Sequence, residues 1–144
     1  MFKDLSQRAK QYAENIGREQ DRRNEVRLLF FRTVKELLPE IEELGFYKVE
    51  LSGSESFPSG FALRIQPNNS YSGYDFTYNV DISSISSHIH YGRGANSARG
   101  EKMEFDYNWN DSKLVGTMHH VLRAVITQAL KNLEVNRMRE AKKK

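Results

Sequence analysis

The chain contains no cysteine. That absence excludes disulfide frameworks, thiolate nucleophiles, cysteine-bearing zinc sites and cysteine-ligated iron–sulfur clusters, and it points to a reducing compartment. Long apolar runs are missing too. Nothing approaches the roughly 18 residues that a membrane helix needs, and the opening Met-Phe-Lys-Asp-Leu-Ser-Gln-Arg lacks the apolar stretch of a secretory signal. A cytoplasmic protein without membrane contact is therefore expected. Catalytic signatures are also absent: there is no Gly-x-Ser-x-Gly elbow, no phosphate loop ending in Gly-Lys-Ser/Thr and no His-Glu-x-x-His. No cofactor is implied.

Charge of one sign is scarce in most of the chain. Residues 1–44 carry nine Lys/Arg against nine Asp/Glu and residues 45–110 five against seven, whereas residues 111–144 carry eight against three. The net +3 thus resides at the C-terminal end. An anionic partner there is one reading; compensation of a helix dipole is the other.

What is present is a change of hydrophobic period. Phe2, Leu5, Ala9, Tyr12, Ala13 and Ile16 recur at three- and four-residue steps, as on one face of a helix whose alanines permit close approach. Residues 17–24 have no apolar side chain and read either as a hinge or as exposed helical turns. A second stripe follows, Val26, Leu29, Phe30, Val34, Leu37, Ile41 and Leu44, with Gly45 suited to the C-cap and Pro39 expected to kink the helix near Leu38. Leu28 lies off this stripe and Phe31 on its margin, which makes them candidates for an oligomer or partner surface.

From Phe46 the period falls to two. Tyr47 to Leu51, Phe61 to Gln66, Tyr74 to Ile82, Ser86 to Tyr91 and Lys102 to Trp109 alternate as strands, with residues 52–60 read as a loop. In the most regular of these, Tyr74, Phe76, Tyr78, Val80 and Ile82 would share the buried face and Asp75, Thr77, Asn79 and Asp81 the wet one. Asn110 or Asp111 then caps a last helix with apolar residues from Leu114 to Leu133. The expected fold is a single α+β domain over residues 1–144: two N-terminal helices (1–44), an antiparallel meander of about five strands (45–110) and one long C-terminal helix (111–144), the helices covering one face.

Three constellations could carry chemistry. His88 and His90, two apart on a strand, project on one side, where Asp81 or Asp106 could join them around a metal ion or in acid/base work. His119 and His120 are helix neighbours about 100° apart and do not make a joint site. Gly92-Arg-Gly-Ala-Asn-Ser-Ala-Arg-Gly100 combines glycines that can turn N–H groups toward an anion with Arg93 and Arg99, which can clamp one. Tyr91, with Tyr71 and Trp109, is an aromatic that could stack on a ligand. Arg22, Arg23 and Arg27 interleave with Glu19, Asp21 and Glu25 and are expected to neutralise one another.

The expectation is a non-catalytic binding, adaptor or inhibitor-type protein. It would engage a macromolecular partner, a protein in the first place and a nucleic acid or other anionic ligand in the second, through the hairpin residues Tyr91, Gly92, Arg93, Gly94, Arg99 and Gly100. Two alternatives stand beside it: a metal-dependent phosphodiesterase or nuclease using His88 and His90, and a homo-oligomeric scaffold joined through Leu28 and Phe31.

Overall fold

The computed structural model describes residues 2–55, 57–69, 77–82, 87–94 and 100–143. Its elements follow in the order α1 (Lys3–Glu42), β1 (Lys48–Ser54), β2 (Phe57–Gln66), β3 (Tyr78–Ile82), β4 (His88–Arg93), β5 (Glu101–Glu104) and α2 (Asp111–Lys143). The strands form one open sheet in sequence order, every neighbouring pair antiparallel. This is the expected meander in an α+β fold. Short connections force it, because a parallel neighbour would need a crossover of a dozen or more residues.

Among the described residues two helices are present rather than the expected three. Residues 3–42 form one continuous helix through both Gly17 and Pro39. Glycine in a helix costs only about 1 kcal/mol. Pro39 falls in the last turn, where its carbonyl still accepts the Glu43 N–H at 3.1 Å, and the burial of Val34 and Ile41 on either side holds that turn on the body. The apolar-free stretch is exposed helix, not a hinge. Gly45, at φ +91°, ends the element in the left-handed conformation expected after a helix.

Only the C-terminal half of α1 packs. Val26, Phe30, Phe31, Val34 and Ile41 lie over β1 and β2, while Leu114, Met118, Val121, Leu122, Val125, Ala129 and Leu133 of α2 lie over β3 and β4. The helices run side by side in the same direction: Arg22 meets Asp111 at one end, and Gly45 lies beside Arg137 at the other. Phe31 is a core residue, its ring edge-on to Phe61 at 5.7 Å, so it does not form the expected partner surface; Leu28 is half-buried. Phe31 turns inward because α1 lies across both β1 and β2 and buries a stripe broader than one row.

Several strand limits differ from those expected. The supposed loop at 52–60 is mostly sheet: β1 runs on to Ser54, pairs with Phe57, and absorbs a register shift at Gly53, whose φ is +125°. β5 stops at Glu104, after which Asp106 accepts the Asn108 N–H in a turn, so Tyr107 and Trp109 lie beyond the strand. On β3, Tyr78, Val80 and Ile82 are buried as expected, but Asn79 on the supposed wet face is only 3% exposed. The start of the β4–β5 hairpin closes over it, and the Asn79 amide donates to the Gly94 carbonyl. Tyr71, Tyr74, Asp75 and Phe76 lie outside the described residues.

Arg22 holds the end of the sheet to α1. Its guanidinium donates to the carbonyls of Tyr107 (2.7 Å) and Trp109 (2.8 Å) and approaches Asp111 and Glu25 at 3.3 Å. The arginine cluster is therefore structural. Arg23 lies over the Tyr107 ring, and Arg27 is buried, donating to Asn24 at 3.1 Å.

Candidate functional site

β4 divides the candidate residues between two faces. Ile89 and Tyr91 point toward the helices, and Arg93 follows in the same phase; His88 and His90 point away. The two imidazoles lie 6.3 Å apart, tilted by 50°, and His88 Nε2 is 3.2 Å from Glu104 Oε1. His90 is paired across the ladder with Asp81 on one side and Lys102 on the other. Asp106 is not brought to them, being occupied in the turn after β5. Among the described residues no group of three or more His, Asp or Glu side chains is arranged to hold a metal ion.

Tyr91 is buried, not available for stacking. Its hydroxyl donates to Glu101 Oε2 at 2.8 Å, and burial, reinforced by that carboxylate, pushes the phenol above its ordinary value of 10. Because the folded-state value is raised, the stability it carries is intact below about pH 10, where an unfolded tyrosine begins to ionise, and is lost as pH rises through the folded value. Phenolate absorbance should accordingly lose a component above pH 10 in Tyr91→Phe and in no other way change its titration; an unchanged alkaline limb would contradict this placement. Trp109 is partly buried, with Lys113 Nζ 3.9 Å from its ring centre.

The hairpin begins with two left-handed glycines, Gly92 (φ +135°) and Gly94 (φ +100°). Gly92 sits so close to Gly100 that a β-carbon on it would come 2.5 Å from the Gly100 Cα, and the Gly94 N–H donates to Thr77 at 3.0 Å. These contacts fix where the hairpin leaves the sheet and direct Arg93 outward. Arg99 lies outside the described residues.

Arg93 does not stand by itself. It reaches the rim of a cleft of about 500 Å³ between the end of β4 and the second half of α2, where Lys131 and Arg139 converge with it. Amide side chains of Gln128, Asn132 and Asn136 line the remainder together with Tyr78 and Val135, and a chain of hydrogen bonds supports the floor: Asn68 donates to Asn132 (3.0 Å), which donates to the Tyr78 hydroxyl (3.4 Å). A second, shallower groove of about 590 Å³ continues along α2 past Lys131 to Arg123, His120 and His119. Neither hollow has an Asp or Glu among the described residues that line it. From His119 to Arg139 the row extends about 30 Å at 1.5 Å per residue.

Chemically, such a surface offers guanidinium and ammonium donors, neutral amides and imidazoles, all able to hydrogen-bond to anionic oxygens. No protein-family model, no curated protein and no solved structure matches this chain. The functional reading therefore rests on the geometry.

The α2 contribution was within reach of the sequence only as a charge excess. Arg123, Lys131 and Arg139 follow at steps of eight residues, each about 80° further round the helix, so their spacing alone does not place them on one face; the wall of the cleft is the three- and four-residue series Gln128, Lys131, Asn132, Val135, Asn136 and Arg139. The charge excess marks a basic helix but does not say that Arg93 of β4 lies beside it.

Proposed function

We propose that this chain is a non-catalytic binding module that engages a macromolecular partner through the β4–β5 hairpin and the adjoining basic face of α2, the partner presenting anionic groups to that surface. The observation that carries the reading is the convergence of Arg93 with Lys131 and Arg139 around one cleft lined with amides and without carboxylates. Dipole compensation explains basic residues toward the end of α2. It gives no reason for an arginine from the sheet to join them. Solvent-exposed cations at the rim of a site act mainly by steering and orienting a charged partner, so the contribution should fall as salt rises.

A metal-dependent phosphodiesterase built on His88 and His90 has less support, since the carboxylate expected to join them from residue 106 serves a turn. The basic row is on the other face of the sheet from those imidazoles.

The test is binding of fluorescent polyanions, a mixed-sequence oligonucleotide and polyglutamate, to the wild type and to Lys131→Glu/Arg139→Glu. The double reversal should weaken binding of whichever polyanion binds by at least about tenfold, equivalent to about 1.4 kcal/mol, with an unchanged thermal transition because both side chains are exposed. Equal affinity for both proteins at low salt would remove this face from the account.

A further inference from the structure

The first half of α1 is a helix with nothing to lean on. Every residue from Phe2 to Asp21 is exposed, an arm of about 30 Å at 1.5 Å per residue. Isolated helices of this length are marginal in water, and most helices in proteins persist because one apolar face is covered. Here that face is bare: Phe2, Leu5, Tyr12 and Ile16 are 70, 52, 68 and 47% exposed.

The spacing identifies the kind of surface that would cover it. Phe2, Leu5, Ala9, Tyr12 and Ile16 follow one another at steps of three, four, three and four, a strict seven-residue repeat, which is the seam of a left-handed coiled coil and not the broader stripe of a helix lying on a sheet. The repeat ends where the next seam positions become Glu19 and Arg23 and the helix meets the body. Charges lie off the seam and cancel, four Lys/Arg against four Asp/Glu over residues 2–21, with Asp4–Arg8 (3.9 Å) and Glu14–Arg18 (3.8 Å) paired along the helix. A lipid surface calls for a basic polar face, which this arm does not have.

We infer that this arm pairs antiparallel with the same arm of a second copy of the chain. Around a two-fold axis between Lys10 and Gln11, each Tyr12 ring meets the second copy's Ala9, and each Leu5 meets the second copy's Ile16, so large faces small and medium faces medium in the four inner layers, while Phe2 at the outer end lies opposite the second copy's Glu19. The residues beside the seam come together as Ser6 with Ala13 and Arg8 with Asn15, leaving no like charges opposed. At about 200 Å² for a fully exposed large side chain, the observed exposures leave roughly 500 Å² on each arm. Two arms together approach the ~1,000 Å² expected of a specific interface. The pairing is independent of the basic cleft, which lies at the opposite end of the helix pair.

Light scattering on the full-length protein over a concentration series tests it. The wild type should approach twice its 16.8 kDa chain mass, and Leu5→Glu and Tyr12→Glu should each return it to the monomer mass at the same concentrations. Both residues lie outside the packed body, so the thermal transition of the body should persist and separate loss of pairing from loss of folding. Direction is read with Ser6→Cys/Ala13→Cys in this cysteine-free chain: an antiparallel pair oxidises to a covalent dimer. Within one chain these positions are about 10 Å apart along the helix, too far to bridge. A wild type that stays monomeric throughout the series would assign the arm to some other protein and overturn the inference, as would a dimer indifferent to both glutamates. A dimer that never cross-links at 6 and 13 would overturn the antiparallel register.

Discussion

Phe30→Ala should lower the unfolding free energy by about 3–5 kcal/mol, the range for removing a buried phenylalanine ring. Phe30 has no exposed surface, and its ring stands edge-on to Phe105 at 5.0 Å, which in turn stands edge-on to Tyr107 at 5.0 Å. This stack is where α1 meets the end of β5, close to the carbonyls that Arg22 holds. Loss of the ring leaves a cavity where the long helix meets the residues that follow the last strand. Against a total stability of roughly 5–15 kcal/mol the effect is large enough to leave part of the population unfolded at 37 °C. Chemical denaturation should show a lower midpoint with an unchanged slope, because the surface exposed on unfolding is nearly the same. A variant within 1 kcal/mol of wild type, a size typical of surface substitutions, would mean that α1 is not packed on the sheet as described.

Gly92→Ala should be the most disruptive small substitution in the sheet. Two costs coincide there. A residue with a β-carbon at φ +135° carries roughly 1–3 kcal/mol of backbone strain, and the added methyl would stand 2.5 Å from the Gly100 Cα, a backbone atom that cannot swing aside. Relief requires β4 and β5 to separate at their hairpin end, which also moves Arg93. Expected results are a loss of about 3 kcal/mol in stability and weaker polyanion binding in the protein that remains folded. Gly94→Ala is the control: φ is +100°, but no described residue lies within 4 Å of the added carbon, so among the described residues only the strain remains. Equal stability for the two alanine variants would show that the close approach to Gly100 has no energetic consequence.

The sheet was legible in the sequence where one face had to be buried. A strand has a period of two, so Tyr78, Val80 and Ile82 could reach the core only together, and the alternations at 61–66 and 88–91 carried the same information. Asn79 escaped because its burial depends on where another hairpin bends, not on its own neighbours. Tyr91 was open to either reading from composition, since tyrosine is at home both in cores and on binding surfaces; the phase of β4 decides it. The helix count failed at residues that sequence rules treat as punctuation. Gly17 costs only about 1 kcal/mol, too little to break an exposed helix, and the penalty at Pro39 is offset by its place in the last turn and by the burial of Val34 and Ile41 beside it.

Local periodicity alone determined the class of the fold, the run of antiparallel strands between helical ends, the glycine-rich hairpin and the basic character of the C-terminal helix, because each is written in residues a few positions apart. Which apolar stripe is covered and which stays bare was decided only in three dimensions: the stripes at 2–16 and 26–41 are both amphipathic, yet only the second meets the sheet. The same holds for the cleft. Arg93, Lys131 and Arg139 are far apart in the chain and are neighbours solely because α2 crosses the end of β4, a consequence of how the two layers pack and not of any local preference.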